Sequence, residues 1–202
     1  MYAIVTNNEI TKLITNPKSL VIGDVRYPAK IFSVWSASEL NAIGIYEVIT
    51  DSTNKKDEKW YINTNESYAF ADNQVTRSWG TATPKRLEDE NAVDEDGENI
   101  LNDDGNQVIN YGLKTQLIRT LKQQVSNELA KTDWYITRNT EKETAIPSAI
   151  STHRDAVRTK QAEMETAITN ASDTAALETL YTYTTTDGVQ SRPLGELPTL
   201  ES

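Results

Sequence analysis

The chain has 202 residues with 37% hydrophobic residues and a mean hydropathy of −0.58, a composition that favours thin layers and much exposed surface over a compact enzyme. Its formal net charge of −10 argues against nucleic-acid binding, because phosphate contacts require clustered Lys and Arg. Cysteine is absent, which excludes disulfides, zinc thiolate centres and cysteine nucleophiles.

The first residues predict a β-hairpin. Two short β-prone runs, Tyr2 to Thr6 and Ile10 to Ile14, flank Asn7-Asn8, and asparagine tolerates the left-handed conformations of a tight turn. The N-terminus lacks a basic region followed by a long apolar run, and no later segment reaches the length of a membrane span. We therefore expect a soluble protein that is made without a signal peptide and does not bind membranes.

A short helix is predicted from Ala37 to Ile43. Ser36 can cap its first turn while Glu39 reaches back to form a capping box. Trp35 can pack on Leu40 as a hydrophobic staple, and the helix ends at Gly44.

Four strands of a meander follow in residues 46–51, 60–64, 68–71 and 75–79. Large side chains on this segment form either a core face or an exposed aromatic patch that binds a partner or a glycan. They are Trp60, Tyr61, Tyr68, Phe70 and Trp79. Together these elements predict a β-rich docking domain over residues 1–86.

Residues 87–110 are predicted to be an acidic, turn-rich linker. Nine carboxylates and no Lys or Arg lie between Glu88 and Asp104. Residues 94–100 are echoed by residues 102–108, each with a glycine turn, which predicts two tight turns around a very short strand or a flexible linker. A calcium loop is not expected, because counting back from Gly97 or Gly105 places its first ligand on Ala92 or Ile100.

Residues 111–184 are predicted to form a helical module. A helix from Leu113 to about Lys131 has an apolar stripe, and a second helix begins at Pro147. The second helix repeats Ile150, Val157, Met164 and Ile168 along one side, with Arg154 and Gln161 between them. This seam fits either an antiparallel pair within the chain or a self-associating coiled coil. Trp134, just after the first helix, is expected to fill the space between the two helices.

The end of the chain continues this module. Ser172 and Asp173 cap a third, shorter helix, and Asp187-Gly188 turns a strand that begins near Tyr181. Residues 185–202 are assigned to an extended C-terminal tail. The predicted fold class is therefore α+β, with a small N-terminal β-rich domain carrying one short helix, the acidic linker, and a C-terminal antiparallel helical hairpin.

Groups that could carry catalysis are sparse. His153 is the single histidine, expected as a polar position at the rim of the helices, and glycine-rich phosphate loops are absent. We therefore predict a protein without enzymatic activity, cofactor or metal. Arg154 and Arg158 lie four residues apart and can pair with Asp133 or with carboxylates of a partner. The candidate partner-binding residues are Trp134, Tyr135, Arg154, Arg158, Trp60 and Trp79.

Two groups of residues resemble tail proteins and tail fibre assembly proteins of tailed bacteriophages. The first runs from Leu129 through Thr132-Asp133-Trp134-Tyr135 to Arg138, Pro147, Arg154 and Arg158, and is similar to the C-terminal helical module of that family. His153 stands where the family has a tyrosine. The second group is Tyr27-Pro28, Ile31-Phe32, Trp35-Ser36 and residues 39–46, similar to a segment near the start of many such proteins.

The resemblance covers about half of the chain and implies a non-enzymatic role in a phage tail. The leading hypothesis is a structural component of the virion, such as a fibre, baseplate or adaptor piece, made in the host cytoplasm. The runner-up is an assembly chaperone that is not retained in the virion, and the third is a glycan-binding module for host recognition. The implied partners are other tail proteins, with further copies of the chain in a homo-oligomer and a host glycan in the third case.

Overall fold

The computed structural model describes residues 1–200 and divides the chain into two compact units, Met1–Thr83 and Pro84 onward. The first unit contains β1 to β9, α1 and α2. In chain order these elements are β1 Tyr2–Thr6, β2 Glu9–Ile14, β3 Leu20–Ile22, β4 Val25–Tyr27, α1 Ile31–Val34, α2 Ala37–Ala42, β5 Ile45–Thr50, β6 Tyr61–Ile62, β7 Ser67–Ala71, β8 Gln74–Ser78 and β9 Thr83–Pro84, at which this unit ends.

The sheet of the first unit has the strand order β2-β1-β5-β8-β7. The predicted hairpin is confirmed, because β1 pairs antiparallel with β2 around Asn7 and Asn8, both at positive φ. The predicted meander is wrong. β5 and β8 are parallel neighbours, with Val48 opposite Val75, so the chain crosses over between them. The edge strands β2 and β7 approach each other, so the sheet is curled.

The core of the first unit is centred on three buried side chains, Ile31, Leu40 and Ile45. The predicted capping box of α2 is confirmed, since Glu39 N donates to Ser36 Oγ at 3.4 Å and Ser36 N donates to Glu39 Oε2 at 2.7 Å. Because these bonds satisfy free N–H groups of the first turn, a six-residue helix can hold Leu40 against β5.

The second unit contains β10 to β13 and α3 to α6. They are β10 Glu90–Asn91, β11 Ile109–Asn110, α3 Leu113–Ala130, α4 Asp133–Lys142, α5 Ser148–Asn170, α6 Thr174–Tyr181, β12 Thr184–Thr186 and β13 Val189–Ser191. α3 packs along α5, and Leu121, Val125, Val157 and Ile168 are among the buried residues of these two helices. None of the helices within residues 1–200 is long and apolar enough to cross a membrane.

The predicted fold class is wrong. Residues 1–200 contain six helices, a mixed five-stranded sheet and additional two-stranded sheets, instead of a β-rich domain with one helix and a helical hairpin. α3 and α5 do not form a hairpin, because α4 lies between them in the chain. α6 also packs on α5. α1 and α4 were missed because each is short and rich in β-branched or aromatic residues, which have weak helix propensity.

The end of the described chain packs on the second unit. The expected turn at Asp187-Gly188 is present between β12 and β13, although the strand begins at Thr184 because α6 extends to Tyr181. The expected cap of α6 is also present, with Ala176 N donating to Asp173 Oδ1 at 2.8 Å. Leu194 is buried beyond this hairpin, so the segment after Ser191 lies on the chain's own surface. The last two positions of the predicted tail, 201–202, lie outside the described residues.

Candidate protein-docking site

The site begins with a buried arginine that joins three segments. Arg154, on α5, donates from Nη1 to Leu129 O at 2.8 Å, to Thr132 Oγ1 at 2.7 Å and to Asp133 Oδ1 at 2.8 Å. Arg154 is 8% exposed and Thr132 is 1% exposed, so two of these bonds form away from water. They connect the end of α3 and the start of α4 to α5. Arg154 therefore acts within the chain as an internal clamp, and of the two pairings considered for it the one with Asp133 is present.

α4 is a surface helix without a core of its own. None of its ten residues, Asp133 to Lys142, is buried. Its C-terminus is fixed locally, because Glu143 adopts a left-handed conformation and Asn139 Nδ2 donates to Thr144 O at 2.9 Å. A ten-residue helix is marginal alone in water, so the end contacts hold α4 while its sides stay open.

Trp134 lies on the open surface of α4. The prediction that it fills the space between two helices is wrong, because 52% of the residue is exposed. Its ring stacks on Tyr135 with centroids 3.9 Å apart, and the Arg138 guanidinium lies 5.2 Å from its centroid. Ile136 is also exposed. An aromatic pair beside an arginine has the composition that dominates binding energy at protein interfaces.

The other candidate residues are separated by the structure. Arg158 is half-exposed on α5 and lies 3.4 Å from Asp155, a surface ion pair that contributes little to stability. Trp60 and Trp79 are in the first unit and are buried, at 3% and 7% exposed. Because they are core residues, they do not offer a binding face, and neither does Tyr61, which is 4% exposed.

His153 is more buried than its predicted place at a helix rim. It is 8% exposed, and its Nε2 lies 3.3 Å from Glu128 Oε1 across the α3–α5 contact. The Lys131 ammonium hydrogen-bonded to Glu128 holds the pKa of that carboxyl below its usual 4.5, against the opposing effect of burial. In the chain, His153 is the neighbour of Arg154, and Glu128 and Lys131 are the neighbours of the Leu129 and Thr132 that Arg154 contacts.

A second surface is formed by residues 90–110, here called the three-ribbon module. β10 pairs with β11, and two further antiparallel bridges join Val93 to Asn99 and Leu101 to Gln107. The tight turns of the sequence echo are present. Asp94 Oδ1 accepts from the backbone N–H groups of Asp96 and Glu98, and Asn102 Oδ1 accepts in the same way from Asp104 and Asn106.

The three ribbons meet at a closed ring of backbone hydrogen bonds. Ile100 N donates to Ala92 O at 2.9 Å, Val108 N donates to Ile100 O at 2.9 Å, and Ala92 N donates to Val108 O at 2.8 Å. These residues are eight positions apart, which is the period of the echo. The segment is thus an ordered module and differs from the flexible linker considered as one alternative.

The three-ribbon module exposes apolar side chains among its carboxylates. Val93, Ile100 and Leu101 are 51%, 41% and 57% exposed. Large apolar residues ringed by charge mark interaction surfaces. Because the module carries no Lys or Arg, electrostatic complementarity favours a partner surface with basic residues.

Metal binding finds no support in this acidic segment. Within residues 1–200 no group of three or more His, Asp or Glu side chains is placed to hold an ion. The Asp94 and Asn102 oxygens instead accept backbone N–H groups of their own turns.

Two parts of this site are not directly indicated by any sequence pattern. Trp134 directly follows the predicted end of the first helix, where a bulky ring is expected to fill the space between helices, and the ring of Ala92, Ile100 and Val108 depends on contacts between different ribbons. The eight-residue echo was the available signal for the ring. Comparisons with known protein families, with curated proteins and with solved structures find no match for this chain.

Proposed function

We propose that this chain is a structural component of a bacteriophage tail, such as a fibre, baseplate or adaptor piece, that acts by protein–protein docking without catalysis. The tail assignment is supported by the residues from Leu129 to Arg158 and from Tyr27 to Tyr46 that resemble tail proteins. The docking role is supported by the surface of α4. The observation that carries it is the exposed Trp134 on a helix without a buried residue.

The α4 surface suits docking because its aromatic anchor is positioned before a partner arrives. Arg154 and Asp133 hold the start of α4, and the left-handed Glu143 ends it. Binding then requires little additional ordering of the helix, which lowers the entropic cost of association. A partner would cover Trp134 and Ile136 with apolar groups and offer acceptors to Arg138.

The first experiment is quantitative mass spectrometry of purified tailed virions that encode the chain. We expect this chain at a fixed copy number per particle. Absence from virions, with normal abundance in infected cells, would overturn the component proposal in favour of an assembly chaperone. Native mass spectrometry of the purified chain tests the further prediction of a homo-oligomer.

The second experiment tests α4 with Trp134→Ala. Loss of an interface tryptophan costs about 2 kcal/mol or more, so we expect binding to the tail neighbour to weaken by about thirty-fold or more. Incorporation into virions should fall while the melting temperature of the isolated chain stays near that of the wild type.

Tyr183→Ala is the matched control for Trp134→Ala. Tyr183 is likewise an exposed aromatic residue, with the Arg192 guanidinium 5.2 Å from its ring centroid. Tyr183→Ala should be incorporated as the wild type is. Equal incorporation of Trp134→Ala and Tyr183→Ala would exclude α4 as the docking surface.

A further inference from the structure

The first unit contains a shallow cleft at one end of its curled sheet. Its volume is about 450 Å³, and it lies between the turn that joins β1 to β2 and the turn that joins β7 to β8. The edge strands β2 and β7 approach each other, which places these two turns on opposite sides of the cleft. The cleft is not part of the α4 surface on which the proposed docking function rests.

Two aromatic rings line the cleft. The rings of Tyr46 and Phe70 have centroids 4.8 Å apart and meet edge to face at 61°. Tyr46 Oη donates to Asn73 Oδ1 at 3.0 Å, which ties one ring to the rim. Both residues are partly exposed and line the cleft. Aromatic rings of this kind attract C–H groups and other weakly polar surfaces.

The rim consists of hydrogen-bonding side chains, three amides that donate and accept and one carboxylate that accepts. Asn7 and Asn8 lie on one turn, and Asp72 and Asn73 lie on the other. Each amide offers a carbonyl oxygen and two N–H groups, a combination that matches hydroxyl groups well. The lining includes neither Lys nor Arg, and Asp72 is its one carboxylate. An anionic ligand is therefore disfavoured.

The four rim residues share a left-handed backbone conformation. Asn7, Asn8, Asp72 and Asn73 all have positive φ, between 49° and 64°. Glycine reaches this region without the cost that a Cβ imposes, and the turns at Gly23 and Gly188 use it. The cleft rim therefore carries four side chains at positions whose backbone conformation glycine could also adopt, as the hairpin of β12 and β13 does at Asp187.

We infer that this cleft is a binding site for a neutral saccharide. The C–H face of a sugar ring would lie against Tyr46 and Phe70, and its hydroxyl groups would bond to the amides of the two turns. Such a ligand satisfies the apolar and the polar parts of the lining together, and it needs no charge partner. The buried Trp60, Tyr61 and Trp79 take no part in it.

The inference is tested by screening the whole chain on a glycan array and measuring the hits by saturation-transfer-difference NMR. We expect binding of at least one neutral saccharide, with transfer strongest to ring C–H protons. The double variant Asn8→Gly/Asn73→Gly removes two amides while glycine keeps the positive φ, so its fold should persist. Its affinity should fall about tenfold or more.

Two further variants control this experiment. Phe70→Leu keeps an apolar side chain but removes a ring, and it should also weaken binding. Asp187→Gly changes another positive-φ turn residue, in the hairpin of β12 and β13, and should leave affinity unchanged. Circular dichroism verifies that all variants are folded.

Three results would overturn the inference. The first is that no neutral saccharide on the array binds. The second is that the wild type and Asn8→Gly/Asn73→Gly bind with equal affinity, and the third is that the chain prefers acidic sugars. Each leaves the docking proposal intact, because that proposal concerns Trp134 and virion incorporation.

Discussion

Arg154→Met tests whether the guanidinium holds the start of α4. Two bonds of Arg154, to Leu129 O and Thr132 Oγ1, are shielded from water, and bonds from a charged donor contribute about 1.5 kcal/mol each at the lower end of their range. The lower end applies because Thr132 Oγ1 also donates to Leu129 O, so neither oxygen loses its last partner. The side chain of Asp133 is 60% exposed, so its bond adds little.

The two shielded bonds therefore contribute about 3 kcal/mol to the free energy of unfolding. Replacing the buried guanidinium by an apolar side chain removes its desolvation cost, which offsets about 1 kcal/mol of that loss. We expect Arg154→Met to lower the free energy of unfolding by about 2 kcal/mol, and Asp133→Asn to lower it by less than about 1 kcal/mol. Urea unfolding followed by helical circular dichroism measures both. Hydrogen exchange should show faster exchange across α4, because no residue of α4 is buried.

A double-mutant cycle separates the clamp from general packing. Thr132→Val removes the hydroxyl that Arg154 contacts at 2.7 Å while keeping a similar volume. The cycle with Arg154→Met should give a coupling of about 1 to 1.5 kcal/mol. A coupling near zero, or Arg154→Met as stable as the wild type, would refute the clamp.

Two further predictions concern the second unit. Gly112→Ala places a methyl group against the carbonyl oxygens of Leu87 and Glu88, which are backbone atoms, so the unfolding free energy should fall by about 3 kcal/mol. Gly97→Ala has no steric clash and should lose only about 1 kcal/mol, because its φ is positive. Equal losses of unfolding free energy for Gly112→Ala and Gly97→Ala would contradict the steric argument. Glu128→Gln should weaken the acid sensitivity of unfolding. Because the folded-state pKa of Glu128 lies below 4.5, its stabilisation is present above that pH and is lost as pH falls through the folded value. The urea midpoint of the wild type should therefore drop more steeply below pH 4.5 than that of Glu128→Gln, and parallel curves would contradict this assignment.

Sequence reasoning succeeded where a few neighbouring residues determine the structure. Ser36 and Glu39 form their capping box, and Asn7-Asn8 and Asp187-Gly188 form their turns, because each signal depends on local backbone geometry. The parallel pairing of β5 with β8 could not be found in this way. The two strands are separated by 23 residues, and hydrophobic alternation does not specify which neighbour a strand chooses.

In the candidate site, too, contacts between nearby charged groups could be anticipated from the sequence, whereas the burial of individual side chains could not. The pairing of Arg154 with Asp133 was one of two alternatives that charge and helical spacing offered, and the structure contains it. The exposure of Trp134 could not be predicted from the sequence, because a bulky aromatic ring after a helix end is compatible with either a buried or an exposed position. Trp60 and Trp79 were open to both interpretations for the same reason, and the structure buries them.

The three-ribbon module shows how a local repeat can produce a long-range feature. The echo predicted two turns. The carboxylate Oδ1 of Asp94 stabilises the first turn, and the side-chain amide Oδ1 of Asn102 stabilises the second. Closure of the ring also requires Ala92, which lies before the first repeat and receives a hydrogen bond from Ile100. Gln107 Nε2 donates to both Ala92 O and Val108 O, so a side chain of the second repeat covers the ring.

The ring also explains why apolar residues of the module stay exposed. Its order comes from backbone hydrogen bonds and from turn side chains, which do not require a buried core around Val93, Ile100 or Leu101. These three side chains therefore remain on the surface of the module. Clustered carboxylates on the same module oppose a second copy of it by charge repulsion, so a surface with basic groups would complement this face better than another copy of the module.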